Sequence, residues 1–195
     1  MSHAGSSDIL KLSENEKKYL LKLARETIHE LLTKNRFLET QPPTKKLEEK
    51  YGVFVTLYKN GNLRGCIGYV EGSKPVYRAV MEMAKSAAFE DPRFPPLTLA
   101  EFSQITIEIS ILSPLRRIHN VDEIQVGIHG IVISRGFSRG LLLPQVATEW
   151  NWDREQFLEQ TCLKAGLPPD AWKDPETEIW IFSAEIFSEK DVFND

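Results

Sequence analysis

The sequence predicts an α+β fold in which a mostly antiparallel or mixed β-sheet is flanked by helices. Apolar residues recur at helical spacing from about Glu14 to Thr33, which indicates an amphipathic helix. The dipeptide Asn60-Gly61 separates two β-rich runs and is the strongest short signal for a β-hairpin. In the segment Gln104–Leu112, isoleucines alternate strictly with other residues, which is typical of a half-buried strand.

The three predicted helices have recognisable ends. Ser13 and Glu16 fit a capping box at the start of the first helix. The second helix is predicted over Pro75–Phe89, because proline suits a first helical position. The third is predicted over Asp153–Lys164, with the aspartate as its N-cap.

The hairpin has a predicted register. With Asn60-Gly61 as a type I′ turn, the numbers of two facing residues sum to 121. The facing pairs are then Val55 with Cys66, Leu57 with Arg64, and Phe54 with Ile67. The alternation of a strand also places Arg64, Cys66 and Gly68 on one face.

Further strands are predicted at Gly127–Ser134, Leu141–Leu143 and Glu178–Phe187. We expect one domain over residues 13–190, with a flexible lead-in at residues 1–12 and a tail at residues 191–195. Both hairpins and helices separate the strands, which favours an antiparallel or mixed sheet over a purely parallel one.

Composition restricts the function classes. The formal net charge of −4 argues against a nucleic-acid partner, since non-specific binding needs a positive surface. Only two cysteines occur, Cys66 and Cys162, so no disulfide framework is expected and a cytoplasmic location is predicted. No secretory signal and no apolar run of membrane-spanning length is apparent in the sequence.

The first candidate site is the segment LRGCIG, residues 63–68. Glycine in a strand costs backbone entropy and often marks a close approach by a ligand or another backbone, which draws attention to Gly65 and Gly68. Arg64 and Cys66 share a face in the predicted register, and a nearby cation activates a thiol. Burial as a small apolar residue is nevertheless the commoner role of a cysteine.

The second candidate is the segment FEDPRFPPL, residues 89–97. Its prolines hold one backbone shape at little entropic cost, which suits a cleft wall or a partner-docking edge. Asp91, Arg93 and Phe94 are its candidate binding residues. The alternative is a rigid connector in which an Asp–Arg pair fixes the turn.

The third candidate is the segment of residues 127–145. His129 is a candidate base, although a lone histidine is more often only hydrogen-bonded in place. Arg135 and Arg139 lie in a glycine-containing turn that suits an anion. Cys66, His129 and Glu108 would make only a sparse metal site, and the chain lacks the usual ligand spacings. We therefore predict no metal and no cofactor.

The motifs LRGCIG, AFEDPRFPPL, EISILSP, GIHGI, LLLPQVA and FLEQTCLKAGL, in this order, closely resemble the AMMECR domain family, including its AmmeMemoRadiSam system protein A group. The likeness covers roughly residues 13–187. It implies two unequal lobes, with LRGCIG lining a cleft between them. It also implies association with a Memo-like protein and a radical S-adenosylmethionine enzyme. The characteristic positions of the family fall on Arg64, Cys66, Gly68, Asp91, Arg93, Phe94, His129 and Gln145.

Three functions follow as hypotheses. The leading one is an accessory or binding component of a modification pathway. In the second, Cys66 and His129 act as catalytic residues on a small molecule or peptide held in the cleft. The third is a regulatory factor associated with nucleic acid. The ligand- or partner-binding candidates are Arg64, Gly65, Gly68, Asp91, Arg93, Phe94, Glu108 and Gln145.

Overall fold

A computed structural model describes residues 9–193 and confirms the α+β class. The helices are α1 (Glu14–Lys34), α2 (Val76–Phe89), α3 (Leu99–Phe102), α4 (Pro144–Glu149), α5 (Arg154–Lys164) and α6 (Glu189–Phe193). The strands are β1 (Gly52–Lys59), β2 (Asn62–Tyr69), β3 (Ile105–Leu112), β4 (Arg116–Ile118), β5 (His129–Arg135), β6 (Ser138–Leu142) and β7 (Glu178–Ser188). Short 3-10 turns lie at Lys45–Glu48, Val121–Glu123 and Ala171–Lys173.

The described chain forms two compact units of unequal size. The hairpin unit comprises residues 10–112 and 185–193, and the inserted unit comprises residues 113–184 with residue 9. The hairpin unit is therefore discontinuous in sequence. Strand β7 contributes residues to both units, since the division falls within it.

In the hairpin unit, β1 lies between β2 and β3 and pairs with both in antiparallel fashion. Val53, Val55 and Leu57 of β1 are fully buried in a core with α1 and α2. The four isoleucines of β3 are at most 5% exposed, as the alternation predicts. Ser110, on the other face of β3, is also buried.

The ends of the hairpin unit are joined by two carboxylates that follow the inserted unit. Glu185 accepts a hydrogen bond from the backbone N–H of Leu12 at 3.0 Å. Glu189 binds Arg25 of α1 (Nη2···Oε2 2.7 Å) and the backbone N–H of Ile107 at 2.8 Å. Leu12 is itself buried, as is Leu10, although the sequence places both in the lead-in.

In the inserted unit, β4 and β5 both pair with β7, and β6 pairs with β5, all antiparallel. Helix α5 packs on β5 and β6, and Phe157 of this helix is fully buried. Asp153 is its N-cap, as predicted, and it also forms a capping box with Gln156. Cys162 is also fully buried in this core, and neither cysteine forms a disulfide.

Candidate binding site

A β-bulge changes the predicted register of the hairpin. Near the turn, Lys59 faces Asn62 and Tyr58 faces Leu63, as predicted. The register then shifts between Leu57 and Tyr58, so one extra residue, Arg64, lies on β2. The predicted pairs Val55–Cys66, Leu57–Arg64 and Phe54–Ile67 are therefore wrong; the observed pairs are Val55–Ile67, Leu57–Gly65, Thr56–Cys66 and Phe54–Gly68.

Because of this shift, Cys66 lies in a polar row across the sheet. Cys66 faces Thr56 on β1, and Thr56 faces Glu108 on β3. The Thr56 hydroxyl donates to the Cys66 Sγ at 3.2 Å. Val55, which the predicted register places opposite the thiol, instead lies in the core. Cys66 is thus half-buried beside a hydroxyl and is not part of the apolar core.

Gly65 lies where helix α2 meets the hairpin. A Cβ atom at this position would be 2.1 Å from the carbonyl oxygen of Ala87. This distance is far below van der Waals contact, so only glycine allows the helix to approach so closely. The glycine at position 65 is therefore explained by the close packing of α2 on the strand, and not by the approach of a ligand.

The Asp91 carboxylate joins the two candidate segments. Asp91 is buried and accepts from the backbone N–H of Cys66 at 2.9 Å. It also binds the Arg93 guanidinium at two points, at 3.0 Å from Nε and 2.7 Å from Nη2. Arg93 Nη2 in turn donates to the Cys66 carbonyl oxygen at 3.4 Å. The backbone N–H and carbonyl oxygen of Cys66 are thus both bound by the Asp91–Arg93 ion pair, which we call the Asp91 clamp.

The electrostatics of the Asp91 clamp follow from its geometry. The hydrogen bonds from Arg93, together with that from the Cys66 N–H, outweigh burial and lower the pKa of Asp91 to about 2. The same pairing raises the pKa of Arg93. Asp91 is therefore an anion at neutral pH with its lone pairs engaged, and it is unsuited to transfer a proton.

Arg64 is held by a second acidic residue. Its guanidinium binds Glu101 (Nη2···Oε2 3.1 Å) and donates to the carbonyl oxygen of Pro95 at 2.9 Å. Lys59 binds the same Glu101 at 3.0 Å, and hydrogen bonds from Arg64 and Lys59 hold the pKa of Glu101 well below its usual range. The sequence suggests Arg64 as the cation that activates Cys66, but its guanidinium binds Glu101 and Pro95 instead. The arginine that is bonded to the Cys66 backbone is Arg93.

Phe94 lies against both arginines. The ring centroid is 5.8 Å from the Arg64 Cζ and 5.5 Å from the Arg93 Cζ, which is within cation–π range. Phe94 is half-buried, whereas Pro92, Pro95 and Pro96 are exposed. The FEDPRFPPL segment therefore presents a fixed, proline-rich strip whose shape depends on the Asp91–Arg93 and Arg64–Glu101 ion pairs.

Two further candidates lie in the inserted unit. His129 begins β5, and its Nδ1 accepts from the backbone N–H of Gln125 at 3.1 Å, so the neutral ring carries its proton on Nε2. Burial and the nearby Arg116 lower the pKa of His129. Gln145 is the second residue of α4 and is half-buried. Proton abstraction by His129 would require the Gln125 bond to break.

The basic turn after β5 is partly neutralised. Gly136 has a φ of 59°, as suits a two-residue hairpin, and Arg135 is paired with Asp174 at 2.9 Å.

Within residues 9–193, no group of three or more histidine, cysteine or acidic side chains is placed to hold a metal ion. No helix in the same residues has both the length and the apolarity to cross a bilayer.

The site thus joins Arg64, Gly65, Cys66, Asp91, Arg93 and Phe94, with Gly68 and Glu108 on the same sheet. Sequence reasoning missed Thr56, Lys59 and Glu101. Glu101 had a usable signal, because Thr98 and Glu101 form a capping box on α3. Thr56 had none, since its contact with the thiol depends on the bulge.

Comparison with known proteins identifies the family. The AMMECR1 family model matches residues 21–187. The chain belongs to the AMMECR1 family. It is 50% identical to a protein of Methanothermobacter thermautotrophicus over 91% of this chain and 96% of that protein. It is 46% identical to Protein MK0488 of Methanopyrus kandleri, with 93% of this chain and 92% of that protein covered.

A solved AMMECR1-like fold supports the assignment. The crystal structure of the uncharacterized protein PH0010 from Pyrococcus horikoshii superposes with a TM-score of 0.90 at 39% sequence identity. The match covers 94% of this chain and 96% of that one. The AMMECR1 match to residues 21–187 includes both the Asp91 clamp and His129.

Proposed function

We propose that this AMMECR1-family chain is an accessory or binding component of a modification pathway in the cytoplasm. Its partners are a Memo-like protein and a radical S-adenosylmethionine enzyme, which the AmmeMemoRadiSam resemblance implies. The observation that carries the binding role is the Asp91 clamp. In this clamp, Asp91 and Arg93 bind each other, and Asp91 also binds the backbone of Cys66. Both side chains therefore fix the local structure, and neither is available to transfer a proton.

The docking surface of this proposal is the exposed part of residues 92–96. Its prolines already restrict the backbone, so this segment loses less conformational entropy when a partner binds. Arg93 has 54% of its side chain exposed while its guanidinium is anchored to Asp91. An anchored arginine next to an aromatic ring is a frequent hot spot of protein interfaces.

The test is a binding measurement with purified partners. We expect the chain to bind the Memo-like protein or the radical enzyme, and Arg93→Ala to weaken that binding about tenfold or more, as loss of a hot spot does. Arg116→Ala is the matched control, since Arg116 is an exposed arginine paired with Glu123 in the inserted unit. Equal binding by the Arg93 variant, or no binding by the wild type, contradicts the proposal.

A second candidate is an enzyme that uses Cys66 as nucleophile and His129 as base, with a small molecule or peptide as substrate. The hydroxyl of Thr56 directed at the Cys66 Sγ favours it, because a donor to sulfur supports negative charge there. Cys66→Ser separates the two proposals: it preserves partner binding in the accessory role and abolishes turnover in the catalytic one. The nucleic-acid hypothesis has the weakest support, and a gel shift at low salt tests it.

A further inference from the structure

A cavity lies in the hairpin unit outside the Asp91 clamp. Its volume is about 410 Å³, within the range of sites that hold small ligands. One wall is the irregular segment of residues 37–41 after α1, and the other is a face of α2 formed by Tyr77, Arg78, Met81 and Glu82. The buried Tyr77 and Met81 contribute apolar surface.

Arg78 is oriented toward this cavity without an acid of its own. Its Nε donates to the Tyr77 hydroxyl at 2.8 Å, and its Cζ lies 5.5 Å from the centre of the Tyr77 ring. Within residues 9–193, Arg78 forms no ion pair. The Tyr77 contacts fix the guanidinium while leaving its two terminal nitrogens for a ligand, which is the fork that binds a carboxylate.

The opposite wall offers backbone groups. From Phe37 to Thr40, no backbone N–H or C=O forms a hydrogen bond within the described residues. The segment is anchored at its C-terminal end, where the Tyr19 hydroxyl donates to the carbonyl oxygen of Gln41 at 3.2 Å. Unpaired backbone groups along one wall suit an extended peptide, which satisfies them with its own backbone.

The charges select among anionic ligands. Glu39 and Glu82 also line the cavity; Glu82 is paired with Lys74 at 2.6 Å, and Glu39 has no cation partner among residues 9–193. The charges of Arg78 and Glu39 are opposite, so a phosphate with two negative charges is repelled by Glu39 more strongly than a carboxylate with one, and the carboxylate is the better anion for Arg78. A nucleotide is therefore a poor ligand.

The geometry points to a peptide-binding site between residues 37–41 and α2. It takes a short extended peptide that has a carboxylate next to an apolar side chain. The carboxylate binds Arg78, the apolar side chain lies on Tyr77 and Met81, and the peptide backbone pairs with residues 37–40. The carboxylate comes either from a chain terminus or from an acidic side chain.

The experiment uses the full chain, labelled with ¹⁵N, and three acetylated peptides as probes. The first is acetyl-Ala-Ala-Ala-Leu with a free carboxylate, and the second is its C-terminal amide. The third is an amidated peptide with a glutamate before the leucine. Amide chemical shifts are followed in titrations to about 1 mM peptide, and calorimetry gives the affinities. Binding of the first probe alone identifies a terminal carboxylate, and binding of the third identifies an acidic side chain.

We expect the shifts to change at residues 37–41 and 77–82. Arg78→Gln should weaken binding by about tenfold, as loss of a bidentate carboxylate contact does. Arg117→Gln is the control, because Arg117 is an exposed arginine in the inserted unit that pairs with Glu178. No shift change with any carboxylate probe, changes confined to other residues, or equal affinity of Arg78→Gln overturns the proposal.

Discussion

At the scale of single residues, Cys66 is fixed by its backbone. Its N–H donates to Asp91 and its carbonyl oxygen accepts from Arg93, while Thr56 donates to its sulfur. Side-chain replacement at Cys66 therefore leaves the Asp91 clamp in place. His129 is held differently, through the ring nitrogen that a general base would need.

The two cysteines should differ in alkylation. Cys66 is half-buried, whereas Cys162 is fully buried and burial raises the pKa of its thiol. We expect iodoacetamide to modify the folded protein at Cys66 first, and Cys66→Ser to remove that fast phase, as followed by mass spectrometry against pH. The nucleophile hypothesis fails if Cys66 stays unreactive up to about pH 9.

At the scale of elements, the contact between α2 and β2 determines how the hairpin unit packs. Gly65 is the point of closest approach, and Ala84, Ala87 and Ala88 give the helix a small-residue face that is buried in the core. Small residues on the helix and glycine on the strand together allow the short distance.

Gly65→Ala tests this packing. The added methyl group would collide with backbone, which cannot move as a side-chain end does, so we expect a loss of about 1–3 kcal/mol in urea unfolding. Gly61→Ala is the comparison, because nothing lies within 4 Å of a Cβ there and its cost comes from the φ of 79° alone. Unchanged stability of Gly65→Ala would show that the helix and strand are not in such close contact.

The elements also show how far sequence reasoning reaches. The alternation of β3, the Asn60-Gly61 turn and the caps at Ser13 and Asp153 are local signals, and the structure confirms each. The bulge at Arg64 has no such local signal, so the sequence predicts Val55 opposite Cys66, one residue away from the observed partner Thr56. Helix α4 and strand β4 were also missed, since short elements have too few residues for a periodic pattern.

At the scale of the whole molecule, buried carboxylates determine how the chain responds to acid. Burial alone would raise the pKa of Glu16, but hydrogen bonds from Thr44 and Ser13 lower it from 4.5 to about 2. The pKa of Asp91 falls from 3.8 to about 2, chiefly through Arg93. Both groups are anions in the folded state at a pH where the unfolded chain has begun to bind protons.

Stability should therefore fall in acid. A lowered folded-state pKa contributes stability that is fully present above about pH 4.5 and is lost as the pH falls through about 2. Each group contributes on the order of 2 kcal/mol. Urea unfolding across this range measures the slope, which the double variant Glu16→Gln with Asp91→Asn should flatten. Glu14→Gln, at an exposed carboxylate of the same helix turn, is the matched control. A double variant with the wild-type slope would contradict the assignment.

The discontinuity of the hairpin unit has a consequence for biosynthesis. During translation, Arg25 and the backbone N–H groups of Leu12 and Ile107 emerge well before Glu185 and Glu189, which they bind in the finished protein. The ribosome must complete the inserted unit in between, so these groups stay hydrated until Glu185 and Glu189 have left the exit tunnel. The closing of α1 and β3 onto Glu185 and Glu189 therefore comes after synthesis of the inserted unit.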